Sequence, residues 1–165
     1  MKNVILATSL FLAMVGFTAG TARAQSPHFI HTATVSGIDS SGEVTVSFKE
    51  AGVGNSTFVS YSFTADASAD YGCVNGGSKH PKASNKATSQ GPVSSSGTFQ
   101  SGKNGSISAS LTLAPPPPPS GFSCPAGQTE VIADISYSDM VLTDTTNNVS
   151  ADLSVTSESV VFFKF

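Results

Sequence analysis

Five stretches of this chain alternate apolar residues with positions that are hydroxylated or charged, Ile132 apart. Val44, Val46 and Phe48 alternate with Thr45 and Ser47; Val59, Tyr61, Phe63 and Ala65 with Ser60, Ser62 and Thr64. Ile107, Ala109, Leu111 and Leu113 alternate with Ser108, Ser110 and Thr112. Val131, Ala133, Ile135 and Tyr137 alternate with Ile132, Asp134 and Ser136, and Val149, Ala151, Leu153 and Val155 with Ser150, Asp152 and Ser154. A period of two puts one set of side chains on a buried face and the other in water, as an antiparallel strand with one wet side requires. Ser (28) and Thr (16) supply most of the wet positions, and Leu is scarce beyond residue 24, so long helices are not expected.

Turn residues separate the runs. Asp39-Ser40-Ser41-Gly42 follows an N-terminal strand near 29–38, and Thr145-Thr146-Asn147-Asn148 is a further turn. Lys103-Asn104-Gly105 joins a strand near 93–101 to the one at 106–113 and reads as a hairpin. The expectation is an all-β, two-sheet antiparallel sandwich, immunoglobulin-like or jelly-roll-like, of about eight strands with residues 160–165 as a ninth. Its expected core includes Val44, Val46, Phe48, Val59, Tyr61, Phe63, Ile107, Leu111, Leu113, Val131, Ile135 and Leu153.

Residues 1–24 read as a secretory signal peptide: a basic start at Lys2, an uncharged apolar stretch from Val4 to Phe17, and Ala22-Arg23-Ala24 before Gln25. The apolar stretch is shorter than the roughly 20 residues of a spanning helix, and no later segment is apolar for that length. Residues 25–165 then form a single domain, secreted to the periplasm or outside the cell, with no transmembrane helix. That domain carries six Lys, no Arg and eleven carboxylates, a net charge of −5, which argues against a nucleic-acid partner.

Two segments break the alternation. Residues 72–92 read as a long loop, and residues 114–127 contain the run Pro115 to Pro119, which cannot be a central strand and reads as a stiff spacer. Each segment holds one of the two cysteines, so an exported chain is expected to bond Cys73 to Cys124 and pin both loops to one end of the sandwich. Lys79, Lys82, Lys86 and Lys103 fall between residues 71 and 129, where there is no carboxylate. Lys79, His80, Lys82 and Lys86, with Asn75 in a flexible turn, are therefore the candidate ligand-binding residues, suited to an anionic glycan or surface ligand. The competing reading is that these lysines balance strand carboxylates at the surface.

No nucleophile elbow, P-loop or zinc-protease motif occurs, and no metal or cofactor is implied. His28 and His31, three residues apart, would face opposite sides of a strand and make a poor metal pair. Asp134, Asp139 and Asp144 are the carboxylates that a glycan-directed hydrolase, the competing function class, would use. Asn55, Asn104 and Asn148 fit the N-glycosylation pattern at turns. The alternation of Val161, Phe163 and Phe165 resembles the last strand of a bacterial outer-membrane barrel, so a small barrel is a further alternative.

The stretches Val46-Ser47-Phe48-Lys49-Glu50-Ala51-Gly52, Cys73-Val74-Asn75-Gly76-Gly77 with Asn85-Lys86, and Ser123-Cys124-Pro125-Ala126-Gly127-Gln128 resemble a loosely defined group of small secreted proteins. That resemblance implies export and paired cysteines and carries no activity. The sequence thus points to a secreted, non-enzymatic protein that binds a ligand or forms part of a surface.

Overall fold

The computed structural model describes residues 26–75 and 85–164; the expected signal peptide lies outside the described residues, as do Lys79, His80 and Lys82. Alternation becomes strand wherever one face can be buried. Nine strands result: β1 (His28–Phe29), β2 (Thr34–Val35), β3 (Val44–Ala51), β4 (Phe58–Asn75), β5 (Lys86–Gln100), β6 (Ser106–Leu113), β7 (Gln128–Asp144), β8 (Val149–Ser150) and β9 (Glu158–Val161). No α-helix forms among the described residues. In the four-stranded sheet, β1 and β2 share one edge of β3 and β6 takes the other. The five-stranded sheet runs β5-β4-β7-β8, with β9 also on β7. All these pairings are antiparallel, and the two sheets pack face to face as a β-sandwich.

The core lies between the sheets. Val44, Val46, Phe48, Val59, Tyr61, Phe63, Ile107, Leu111, Leu113 and Ile135 are buried as expected. Val131 and Leu153 are only half-buried. The β4–β7 register shifts between Asp70 and Tyr71, so Ile132 rather than Val131 lies opposite the buried Tyr71. Leu153 leaves the five-stranded sheet altogether: past β8 the chain crosses to the other sheet, where Ala33 N donates to Asp152 O (2.7 Å) and Ser154 N donates to Ala33 O (2.9 Å). Outer faces carry hydroxyls, which bond across strands in pairs such as Thr45 with Thr112 and Ser60 with Thr98, each 2.8 Å apart. Apolar residues inside and hydroxyls outside, on two separate sheets, replace the closed lipid-facing barrel held as an alternative.

Two other expectations are corrected. Residues 72–92 are not one loop: β4 continues to Asn75 and β5 begins at Lys86. Cys73 therefore sits on a strand. Ala67, Ala69, Tyr71 and Cys73 keep the inward alternation going with small residues, while β5, an edge strand, is only half-buried at alternate positions and shows no apolar period. Pro92 is tolerated because an edge strand has one row of amides with no sheet partner to supply. The Asn104-Gly105 turn is not a hairpin either, since β5 and β6 belong to different sheets. Buried Ser101 fixes that crossing: its hydroxyl donates to Gly54 O (2.6 Å) and accepts from Thr57 N (2.9 Å).

Tyr71 and the disulfide tie the proline segment to the sandwich. Tyr71 Oη donates to Pro116 O at 2.6 Å, Phe122 packs on the Tyr71 ring, and Cys73–Cys124 closes the segment beyond it.

Candidate functional site

The disulfide forms as expected, with Cα atoms 5.5 Å apart, and the described residues around it include carboxylates as well as Lys86. Asn75 is exposed at the end of β4, opposite Gln128. Lys86 Nζ lies 2.7 Å from Asp70 Oδ2, and Asp70 Oδ1 accepts a 2.6 Å bond from Thr88. Partial burial works against ionised Asp70, but these bonds outweigh it and hold its carboxyl below the usual range. Asp134 faces Asp70 across β4–β7, and Glu130 faces Cys73. Strand pairing therefore returns carboxylates to the end of the molecule where the sequence gathers lysines.

The same end carries a cleft of about 510 Å³ lined by Ser40, Ser41, Glu130, Val131, Ile132, Phe162 and Phe163. Each wall is fixed by the backbone. The β2–β3 turn brings Ser40 and Ser41: Asp39 Oδ1 accepts from Ser41 N (2.9 Å), Ser41 Oγ (2.6 Å) and Glu43 N (2.9 Å). Those bonds hold the Asp39 carboxyl below its ordinary range, its hydrogen bond from Ser41 Oγ most of all. Gly42 closes the turn at φ 84°, and an added Cβ there would meet Ile132 Cδ1 at 3.0 Å. Tyr137 Oη, buried, donates to Gly42 O at 2.7 Å and anchors the turn to β7. Opposite, Phe162 N and Phe163 N both donate to Ala133 O, at 2.8 and 3.0 Å, where β7 bulges. The result is an aromatic and aliphatic wall facing two hydroxyls and one carboxylate, with no Lys or Arg among the described residues of the lining.

None of these cleft residues was singled out as a ligand site by the sequence. Two doublets that break the alternation, Val131-Ile132 and Phe162-Phe163, were the available signal. They mark the places where a strand stops burying every second residue and leaves an apolar side chain at the rim.

The hydrolase carboxylates are not brought together around this cleft. Asp144 is fully buried and serves the following turn, where Oδ1 accepts from Thr146 N (2.8 Å) and Asn147 N (3.0 Å). Asp139 sits at a bulge with φ 52° and lines a separate hollow of about 230 Å³ with Thr64, Ala65, Asp66 and Pro92. Asp134 is half-buried on β7. Among the described residues no cluster of three His, Cys, Asp or Glu could hold a metal ion, and no helix is long and apolar enough to cross a membrane.

No protein-family model matches the chain, and no curated protein or solved structure matches it either.

Proposed function

We propose that this chain is an exported, non-enzymatic β-sandwich that binds a neutral saccharide in the cleft between the Ser40–Ser41 turn, the start of β7 and Phe162–Phe163. The observation that carries this reading is the lining. A sugar ring has an apolar face of C–H groups and a rim of hydroxyls. It suits an aromatic wall set against a carboxylate and hydroxyls that can take and give hydrogen bonds. A pocket of about 510 Å³ is within the range of small-ligand sites, and its backbone-fixed walls keep the ordering cost of binding low. Glu130 in the lining and Asp39 in the adjoining turn disfavour an anionic ligand at this cleft. Export is supported by the sequence of residues 1–24 and by the disulfide, a bond of oxidising compartments.

Binding of residues 25–165 to a panel of neutral and anionic glycans at low and high salt tests this reading. Neutral glycans are expected to bind with little salt dependence. Phe163→Ala should weaken binding roughly tenfold, which corresponds to about 1.4 kcal/mol, the scale of one lost aromatic contact. Replacing Lys79, Lys82 and Lys86 together by Ala should leave that binding unchanged. Binding confined to anionic glycans, weakened by salt and abolished in the triple lysine variant, would place the site at the lysines instead.

A further inference from the structure

Tyr61 and Asp144 face each other at the start of β4 and the end of β7, twelve residues along β4 from Cys73 and so at the far end of the sandwich from the cleft. Here a carboxyl group from each sheet is wholly buried: Glu50 of β3 and Asp144 of β7, both 0% exposed. Tyr61 Oη donates to Glu50 Oε2 at 2.5 Å. Glu50 Oε1 is equally buried and, taken as an ionised oxygen, has no partner. Asp144 is well supplied by comparison, with Thr146 N and Asn147 N on Oδ1 and Asn147 Nδ2 on Oδ2 at 2.6 Å. At this register β1 places Phe29 opposite Glu50, and β6 places the uncharged Ile107 there.

Two carboxylates cannot both be ionised in a buried site with so little positive charge around them. A proton on Glu50 Oε1 resolves the arrangement, because it gives the orphaned oxygen an O–H to donate to the Asp144 carboxylate. We propose that Glu50 and Asp144 share this proton as a pH-sensitive latch, closed while it is held, that joins β1 and the 145–148 turn across the two sheets. Loss of the proton leaves two adjacent buried anions and loosens both segments.

The charges facing Glu50 agree with this. Burial pushes its carboxyl up to about 7; the Tyr61 hydrogen bond opposes that, the charge and hydrogen bond of Asp144 reinforce it, and His28 on β1 lowers it slightly. Tyr61 itself is held far above the ordinary tyrosine range, by burial first and by Glu50 next, so it stays a donor throughout. The latch therefore titrates near neutral pH.

Infrared spectroscopy with amide hydrogen exchange tests the latch. The native protein should show the carbonyl band of a buried protonated carboxyl at pH 5 that disappears with a midpoint near 7, and the band should be missing in Glu50→Gln. After correction for intrinsic rates, exchange in residues 28–31 and 145–148 should rise tenfold or more between pH 5.5 and 8.5 in the native protein. In Glu50→Gln, whose amide can accept from Tyr61 and donate to Asp144 at every pH, it should not. A native protein with no such band at pH 5, or with equal exchange at both pH values, would overturn the proposal. The infrared result on the native protein decides the matter even where the variant fails to fold.

Discussion

Reduction of the Cys73–Cys124 bond is expected to lower stability by about 4 kcal/mol, the chain-entropy value for a loop of this length. That is a large part of the roughly 5–15 kcal/mol that holds a domain folded. The effect should also be local. Cys73 is fixed on β4 beside Glu130 of β7, whereas Cys124 lies in a segment with no strand of its own, held otherwise by the Tyr71–Pro116 bond and the Phe122–Tyr71 contact. Without the bond, the proline segment loses its covalent tie to β4 and depends on non-covalent contacts such as these. Thermal unfolding with and without reductant should separate by about 10–20 °C, on the usual scale of a few degrees per kcal/mol for a chain of this size. Coincident melting curves would mean that the bond constrains nothing the rest of the fold does not already hold.

Stability should fall, not rise, as pH increases from about 4.5 to about 7. Glu50 titrates near 4.5 in an open chain and near 7 when folded, so between those values the folded protein holds a proton that the unfolded chain has released. Each pH unit then costs about 1.4 kcal/mol, and the whole interval about 3 kcal/mol, with no further loss from this group above pH 7. Asp39 and Asp70 act oppositely: both are held below the ordinary aspartate value of 3.8, so what they contribute is present above it and lost as the solution is acidified below it. The maximum is expected between about pH 4 and 5. Chemical denaturation at pH 5 and pH 8 measures the difference, and Glu50→Gln should abolish most of it. A stability that is level or increasing over this range would contradict a buried protonated Glu50.

The sheets were legible in the sequence because hydroxyl residues mark the wet face as clearly as apolar ones mark the dry face. Val44, Val46 and Phe48, or Ile107, Leu111 and Leu113, needed no further information to be placed in the core. Where the buried face is made of Ala67 and Ala69, or where Ser, Gly and Pro line an edge strand such as β5, the period remains but the hydrophobic contrast vanishes, and strand reads as loop. Glu50 was invisible for a related reason. It occupies an inward position of β3 by register, and only the opposing sheet supplies the Tyr61 hydroxyl and Asp144 carboxyl that let a proton settle there. Charge blocks along the chain do not display such pairing: Lys86 is far from Asp70 in sequence, yet antiparallel pairing places them 2.7 Å apart. The cleft was illegible because its walls come from the β2–β3 turn, a bulge in β7 and the chain after β9, which no local pattern connects.

Mapping amide chemical shifts during titration with the tightest-binding neutral glycan tests the proposed site most directly. The largest changes are expected at Ser40, Ser41, Glu130 to Ile132, Phe162 and Phe163, and the amides around Glu50 and Asp144 at the other end should stay in place. Shifts centred on Asn75, the Lys79–Lys86 segment and Lys86 itself, with the cleft amides unmoved, would contradict a saccharide site between the turn and the two phenylalanines.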